Sequence, residues 1–249
     1  MSIGVHDVHK AFGAKEVLSG VSVEIHEGET VSIIGASGSG KSVALKHIVG
    51  LLRPDQGEVW VDGENVSRLS QDELYLLRRK VGYVFQFAAL FDSMTIGENV
   101  GMGLKRIPGM TANRIRERVA ECLNLVDLGG FEARMPSEIS GGQRKRVGLA
   151  RAIATEPKYL LYDEPTTGLD PVTTAVIGEL IQRMRRELAV TGVVITHDMD
   201  SAFSISDRIA MLYKGRIRFS GTPDEVRANE DPIVKGFIEG RPELMEETT

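Results

Sequence analysis

Cysteine is almost absent from the sequence: Cys122 is the only one among 249 residues. A single cysteine cannot form an internal disulfide, which argues against a small disulfide-stapled secreted protein and favours a reducing compartment. Cys122 lies within an apolar helical pattern, so we expect it to be a small buried side chain. A chain of this length can bury a sizeable core without crosslinks.

Long apolar runs are also missing. No stretch approaches the roughly 18 consecutive apolar residues that a membrane-spanning helix requires. The opening residues, MSIGVHDVHKAFG, lack the basic-then-apolar pattern of a secretory signal. We therefore expect a cytoplasmic protein that acts on membranes only through a partner that crosses the bilayer.

Positive charge is in the minority. The 30 Lys and Arg residues are outnumbered by 35 Asp and Glu residues, which gives a formal net charge of −5. This balance argues against a general nucleic-acid binder, because such proteins usually present an excess of basic side chains.

Apolar patterns divide the chain into parts. The first 65 or so residues favour strands, the stretch from Phe87 to about Pro136 favours helices, and later short apolar runs are typical of a buried parallel sheet. We expect one domain over residues 1–240 with a helical lobe at about 87–155 inserted. The predicted strands are Ile3–Val8, Val17–Ile25, Thr30–Ile34, Glu58–Asp62, Lys80–Phe85, Tyr159–Tyr162, Val193–Thr196, Arg208–Tyr213 and Arg216–Ser220.

The end of the chain, from Asp231 to Thr249, is expected to fray, with an acidic tail at 241–249. Ile233, Val234 and Phe237 nevertheless fall near one helical face. We expect that face to dock on its own subunit or on a neighbouring one.

Eight residues match a phosphate-binding loop in full. GASGSGKS follows the strand pattern VSIIG and opens a helical pattern, which is the context that this motif requires. Glycines let backbone N–H groups turn onto phosphate oxygens, Lys41 places a cation on the β- and γ-phosphates, and Ser42 offers a hydroxyl to Mg²⁺. An ordinary glycine loop is the competing interpretation. The predicted nucleotide-binding residues are Gly35, Ala36, Ser37, Gly38, Ser39, Gly40, Lys41, Ser42 and Val43.

Two carboxylates end a buried strand pattern in YLLYDEP. Asp163 is suited to the Mg²⁺ shell, and Glu164 is suited to orienting a water and taking its proton. A strand ending in Asp-Glu is weak evidence by itself and can be a surface pair at a turn. After a phosphate-binding loop it predicts hydrolysis and not nucleotide binding alone.

The order of the motifs resembles the ATPase subunits of ABC transporters. Gln86 ends a strand pattern, ISGGQ follows at 139–143, and TGLD and the strand-terminal His197 come after YLLYDE. The resemblance covers nearly the whole chain, and ISGGQ is its most specific element. It implies an α/β P-loop NTPase fold: an ABC ATPase cassette with an N-terminal antiparallel β subdomain, a RecA-like parallel sheet core and an inserted α-helical lobe.

The resemblance also explains a second glycine turn. In the family, two copies pack head to tail, and the turn formed by Ser140, Gly141, Gly142 and Gln143 binds the γ-phosphate of ATP held by the partner copy. Taken alone, ISGGQRKR could equally be a helix cap with a solvated basic face. Ile139 departs from the family's usual leucine without removing a chemical group.

Further roles are implied residue by residue. Gln86 contacts Mg²⁺ and water, His197 contacts the γ-phosphate, Asp170 signals across the dimer, and Phe12 stacks on adenine in place of a commoner tyrosine or tryptophan. Taken alone, His197 is an ordinary strand-end histidine. The implied catalytic residues are Glu164, His197, Gln86 and Lys41, and the implied Mg²⁺ ligands are Ser42, Gln86 and Asp163.

One stretch bears on the cargo. The stretch FQFAALFDSMTIGENVG places Leu90 and Phe91 at the expected permease-facing edge. Its sequence resembles the corresponding stretch in ATPases of MCE-linked (Mla-type) phospholipid transport systems. RMPSEISGG and GTPDEVRANEDPIVKGFIEG agree with that subfamily. The implied partners are a second copy, an integral membrane permease, an MCE-domain lipid-binding protein and a small regulatory subunit, at the cytoplasmic face of the inner membrane.

Two alternatives stay open, an ATPase of a small-solute importer and a cell-division-type ATPase that regulates without transport. A soluble ABC ATPase acting on nucleic acid or ribosomes is disfavoured by the single cassette, the short lobe and the negative charge.

Overall fold

The computed structural model describes residues 2–245. The chain divides into two compact units, one made of the residues up to Leu76 with those from Thr191 onwards, and one made of Leu77–Val190. The prediction of one domain over residues 1–240 stays a prediction. Among the described residues, no helix has the length and apolar character needed to cross a bilayer.

An antiparallel sheet opens the first unit, in the order β2-β1-β4-β5. Ile3 pairs with Ile25 on one side and with Val61 on the other, and all three side chains are buried. The predicted N-terminal β subdomain is confirmed, and its first strand is longer than expected. Its strands are β1 (Ile3–Phe12), β2 (Lys15–Ile25), β4 (Gln56–Val61) and β5 (Glu64–Asn65).

A mostly parallel sheet forms the rest of the first unit's β structure, in the order β10-β9-β3-β8. The central strand β3 runs parallel to both neighbours, and every residue of β3 and β8 is buried. Strand β10 pairs antiparallel with β9 and forms the predicted hairpin. The strands are β3 (Thr30–Ile34), β8 (Thr191–Thr196), β9 (Arg208–Tyr213) and β10 (Arg216–Gly221), and the helices of this unit are α1 (Lys41–Ile48), α7 (Met199–Ile205), α8 (Pro223–Arg227) and α9 (Pro232–Glu239).

The second unit contains two parallel strands and four helices. Val84 pairs with Tyr162, and α3, α4 and α5 pack on one another and form the predicted helical lobe. Cys122 is buried as expected, and burial raises the pKa of its thiol to about 11. The elements are β6 (Val81–Val84), α3 (Ile96–Gly101), α4 (Ala112–Leu125), α5 (Gly141–Ile153), β7 (Tyr159–Asp163) and α6 (Pro171–Leu188), with α2 (Gln71–Arg79) crossing from one unit to the other.

The predicted fraying after Asp231 is wrong for residues 231–245, and residues 246–249 of the predicted acidic tail lie outside the described part. Asp231 caps the start of helix α9, and its carboxylate accepts hydrogen bonds from the backbone N–H groups of Ile233 and Val234. Both side chains are buried in an apolar cluster with Ile209 and Met211 of β9. The apolar face therefore docks on its own unit, because burying it outweighs the cost of ordering a short helix.

Replacing Ile233 by alanine is expected to lower the free energy of unfolding by about 2–5 kcal/mol, because it removes buried methyl groups and leaves a cavity. Lys235→Ala, on the exposed side of the same helix, should change it by less than about 0.5 kcal/mol. Urea denaturation of both variants measures the difference. Equal effects would show that α9 is not anchored through this face.

Candidate functional site

The glycine-rich loop begins where β3 ends. At Gly35 the backbone has a φ of +155°, and an added Cβ would lie 2.4 Å from the carbonyl oxygen of Leu212 and 2.9 Å from Oγ of Ser39. Only glycine fits so close to β9. The first glycine of the motif is therefore fixed by the sheet on which the loop stands.

Lys41 lies at the first position of α1 and reaches back across the loop. Its Nζ donates hydrogen bonds to the carbonyl oxygens of Gly35, at 2.8 Å, and Ala36, at 3.1 Å, and the residue is only 5% exposed. A cation is thus held beside the N-terminal N–H groups of a helix, which together favour an anion.

The rest of the loop combines exposed backbone with one unsatisfied hydroxyl. Ala36, Ser37 and Gly38 are exposed, whereas Ser42 and Val43 are partly buried. Within residues 2–245, Oγ of Ser39 is buried without a hydrogen-bond partner. Such a group costs free energy unless something binds there, so the loop's donors fit a phosphate.

His197 emerges beside this loop. Ile34 and Thr196 are partners in the parallel pairing of β3 and β8, so the next residues, Gly35 and His197, leave the same edge of the sheet on adjacent strands. The register thus places the backbone of His197 next to the start of the phosphate-binding loop. The contact of His197 with the γ-phosphate stays a prediction.

Phe12 ends β1 with 49% of its surface exposed, and Nζ of Lys10 lies 5.7 Å from its ring centroid. Its ring is accessible for stacking on a planar base. The assignment to adenine stays a prediction.

In the second unit, the parallel pairing of β6 and β7 places Gln86 and Glu164 at the same edge of the sheet. Val84 of β6 pairs with Tyr162 of β7, so Gln86 and Glu164 each lie two residues beyond a paired position. Their backbone carbonyls accept hydrogen bonds from the same side chain, the Nζ of Lys145, at 2.5 Å and 3.4 Å.

The side chain of Asp163, at the end of β7, is hydrogen-bonded to a residue of the neighbouring strand β6. The hydroxyl of Tyr83 donates a hydrogen bond to Oδ2 of Asp163 at 2.9 Å, and Asp163 is 9% exposed. Burial, and then the adjacent carboxylate, raise the pKa of the Tyr83 hydroxyl. The phenol therefore stays protonated and donates to the Asp163 carboxylate, which fixes the orientation of that side chain.

Glu164 occupies a costly backbone conformation. Its φ is +52°, a left-handed value that is unfavourable for a residue with a Cβ. Oγ1 of Thr167 donates to its Oε2 at 2.6 Å, and the Thr167 N–H donates to its carbonyl oxygen at 3.3 Å. These bonds hold the carboxylate in a defined direction, as a water-orienting base requires.

The ISGGQ turn is the start of α5. Oγ of Ser140 accepts from the Gln143 N–H at 3.2 Å, and Oε1 of Gln143 accepts from the Ser140 N–H at 2.9 Å, which is a capping box. Gln143 thus has a structural part in addition to its predicted contact with ATP. Gly141 is exposed, and no described atom lies within 4 Å of an added Cβ there.

Thr173 connects the glycine turn with the start of α6. An added Cβ on Gly142 would lie 2.6 Å from Cγ2 of Thr173. The backbone N–H and Oγ1 of Thr173 both donate to the carboxylate of Asp170, at 3.0 Å and 2.6 Å. Hydrogen bonds from the Thr173 side chain and backbone lower the pKa of Asp170. The two segments predicted to face a second copy are therefore joined through one threonine.

The residue types predicted to hold magnesium are chemically suited to it. Among the described residues, no three His, Cys, Asp or Glu side chains are grouped to hold a metal by themselves. Mg²⁺ in nucleotide sites is commonly held by one or two carboxylates, phosphates and water. The hydroxyl of Ser42 in the first unit, and the amide of Gln86 and the carboxylate of Asp163 in the second, are oxygen ligands of the kind that Mg²⁺ prefers. The roles assigned to these residues stay predictions.

Three supporting residues were missed by the sequence analysis: Tyr83, Thr167 and Lys145. Lys145 interrupts an otherwise apolar row with Leu149 and Ala152 at helical spacing, which is a signal for a buried, partnered cation. Tyr83 and Thr167 carry no comparable signal, because their partners are known only from the fold.

A family model described as "ABC transporter" matches residues 18–167. "Probable ribonucleotide transport ATP-binding protein mkl" of Mycobacterium leprae is 39% identical over 241 residues, 97% of this chain and 70% of that protein. "Protein TRIGALACTOSYLDIACYLGLYCEROL 3, chloroplastic" of Arabidopsis thaliana is 43% identical over 254 residues, 96% and 73% of the two chains. Other relatives, 46% and 40% identical, are named for methionine import and for sulfate/thiosulfate import.

A solved structure agrees with the fold. The ATP-binding cassette MJ0796, as a dimer in a post-hydrolysis state bound to ADP and Pi, superposes with a TM-score of 0.82 at 37% identity. The match covers 89% of this chain and 98% of that one. The chain belongs to the ABC transporter family, with its ATPase cassette fold, and it is an ATP-binding subunit that hydrolyses ATP.

Proposed function

We propose that this subunit uses ATP hydrolysis to drive phospholipid transport between membranes. Its partners in this proposal are a second copy of itself, an integral membrane permease, an MCE-domain lipid-binding protein and a small regulatory subunit, and it is bound to the cytoplasmic face of the inner membrane through the permease. The observation that carries the proposal is the segment FQFAALFDSMT, which follows β6 and resembles the corresponding segment of lipid transport ATPases.

The segment presents aromatic side chains to solvent. Phe85, Phe87 and Phe91 are 41%, 79% and 48% exposed. The exposure of Phe91 agrees with the sequence prediction, whereas Leu90, also predicted to be exposed, is half-buried. Phe87 is the most exposed of the three phenylalanines. Closely spaced exposed aromatic residues are typical of a surface that a protein partner covers, and the permease is the partner proposed.

The turn at the end of this segment is held in place by Asn99, which is fully buried. Nδ2 of Asn99 lies 3.0–3.1 Å from the carbonyl oxygens of Phe91, Met94 and Thr95, among which its two hydrogens are shared, and its Oδ1 accepts from the Phe91 N–H at 2.8 Å. One buried side chain thus contacts four backbone groups of the turn. A surface ordered before binding costs less conformational entropy when a partner docks.

The relatives support the choice of cargo unequally. The name of the plant relative contains a glycolipid, trigalactosyldiacylglycerol, which agrees with lipid transport. The mycobacterial relative is named for ribonucleotides, and others are named for import of methionine and sulfate. Import of a small solute is therefore the second candidate. A regulator without cargo has no such support among these names.

The proposed chemistry assigns one task to each group. Lys41 and the loop N–H groups bind the β- and γ-phosphates, and the ISGGQ turn of a second copy closes on the γ-phosphate. Glu164 orients the attacking water and accepts its proton, while Gln86 and His197 contact the water and the γ-phosphate. When bound through Ser42, Gln86 and Asp163, Mg²⁺ neutralises phosphate charge.

Replacing Tyr83 by phenylalanine removes the hydrogen bond to Asp163 with little change in shape. If Asp163 holds Mg²⁺, the Mg²⁺ concentration for half-maximal ATP hydrolysis should rise about tenfold, since partners of metal ligands affect metal affinity by that order. Tyr75→Phe, the same change at an exposed tyrosine, should leave it unchanged. An unaltered Mg²⁺ dependence in Tyr83→Phe would contradict the assignment of Asp163.

The cargo is tested with the native complex, purified from detergent-solubilised membranes through a tag on this chain and reconstituted into proteoliposomes. We expect ATP-dependent transfer of a fluorescent phospholipid to acceptor vesicles. A matched complex carrying Glu164→Gln should transfer only at the rate seen without ATP.

Two results would contradict the lipid proposal. One is ATP-dependent uptake of methionine or another small solute while lipid transfer stays at the Glu164→Gln rate. The other is hydrolysis by the complex with no movement of lipid, which would favour a regulator.

A further inference from the structure

Side chains on one face of α5 donate hydrogen bonds to the backbone of residues 86–89. Lys145, Gly148 and Arg151 are spaced three residues apart, so they follow one side of the helix. Lys145 donates to the carbonyl oxygen of Gln86, and Arg151 donates to those of Ala88 and Ala89, the latter at 2.7 Å. An added Cβ on Gly148 would lie 3.3 Å from Cβ of Ala88, so the helix and this segment are in close contact.

The segment that α5 contacts has an unfavourable backbone conformation at two residues. Ala88 and Ala89 have φ values of +59° and +47°, and consecutive left-handed residues with a Cβ persist only where their surroundings hold them. Their N–H groups donate to the carbonyl oxygens of Phe85, at 2.9 Å, and Phe87, at 2.7 Å. The cations of α5 bind the opposite, carbonyl side of the same turn.

Lys145 differs from Arg151 in having a second partner. Its Nζ lies 3.4 Å from the carbonyl oxygen of Glu164, which also has a left-handed backbone. Lys145 is 7% exposed, and burial lowers the pKa of its ammonium group. A buried cation is tolerated where hydrogen bonds replace its hydration, and here the backbone of the two residues predicted to handle water provides them.

We infer that Lys145 is a positioning residue for ATP hydrolysis: its ammonium group fixes the backbones of Gln86 and Glu164 to the helix that begins at the ISGGQ turn. The side chain is not proposed to touch ATP. It sets the directions from which the Gln86 amide and the Glu164 carboxylate act. This inference rests on the ATPase activity and on the role of Glu164, and it is independent of the cargo.

Lys145→Met tests the inference, because methionine keeps most of the volume and removes the charge and the hydrogen bonds. We expect kcat for ATP hydrolysis by the full chain to fall about tenfold or more, since small displacements of catalytic groups have effects of that size. The KM for ATP and the affinity for a fluorescent ATP analogue should change by less than about twofold, because the phosphate-binding loop is untouched. Lys105→Met, the same change at an exposed lysine of the same unit, should leave all three unaltered.

A second measurement needs no turnover. Hydrogen–deuterium exchange of the nucleotide-free full chain should become faster at the amides of Ala88 and Ala89 in Lys145→Met but not in Lys105→Met. Lys145→Arg keeps a cation that can donate to two carbonyls, and it should restore at least part of kcat. Unchanged kcat, unchanged exchange at this turn, or a parallel loss of kcat, ATP affinity and thermal stability would each overturn the inference.

Discussion

The parallel pairing of buried strands is the constraint on which the candidate site depends. In the first unit, Ile34 lies opposite Thr196, and the phosphate-binding loop and His197 therefore leave the same sheet edge. In the second unit, Val84 lies opposite Tyr162, and Gln86 and Glu164 follow at equivalent positions. A slip of one residue in either pair would turn every side chain of that strand to its other face. The burial that stabilises these strands therefore also selects which polar side chains end up side by side.

Helix starts provide the second recurring element. Lys41 opens α1, the ISGGQ turn opens α5 and Asp170 caps α6, so each predicted phosphate-facing or dimer-facing segment lies where backbone N–H groups lack partners within the helix. Several of these polar side chains also stabilise the fold, as the Ser140–Gln143 capping box and the bonds of Thr173 to Asp170 show. Folding and the proposed chemistry thus depend on the same residues.

Much of the fold was predictable from the sequence because its signals are local. The strand patterns, the glycine loop and the capped start of α5 each occupy a few consecutive residues, and the structure has them where expected. Helix α2 was missed although Ser70 and Glu73 form a recognisable cap before it. The fraying prediction for α9 was wrong because its stability comes from packing on β9. Likewise, the contacts of Tyr83 and Lys145 join residues about 60 to 80 positions apart, which no local pattern reveals.

The central claim of the proposed function is that two copies are needed to enclose each ATP, one contributing the phosphate-binding loop and the other the ISGGQ turn. The most direct test is the molar mass of the Glu164→Gln chain, measured by light scattering with and without saturating Mg-ATP. The claim predicts the mass of a single chain without nucleotide and twice that mass with it, since ATP stays bound when hydrolysis is blocked. The claim would be contradicted if the chain alone kept the mass of a single copy in saturating Mg-ATP and its complex with the permease also contained only one copy.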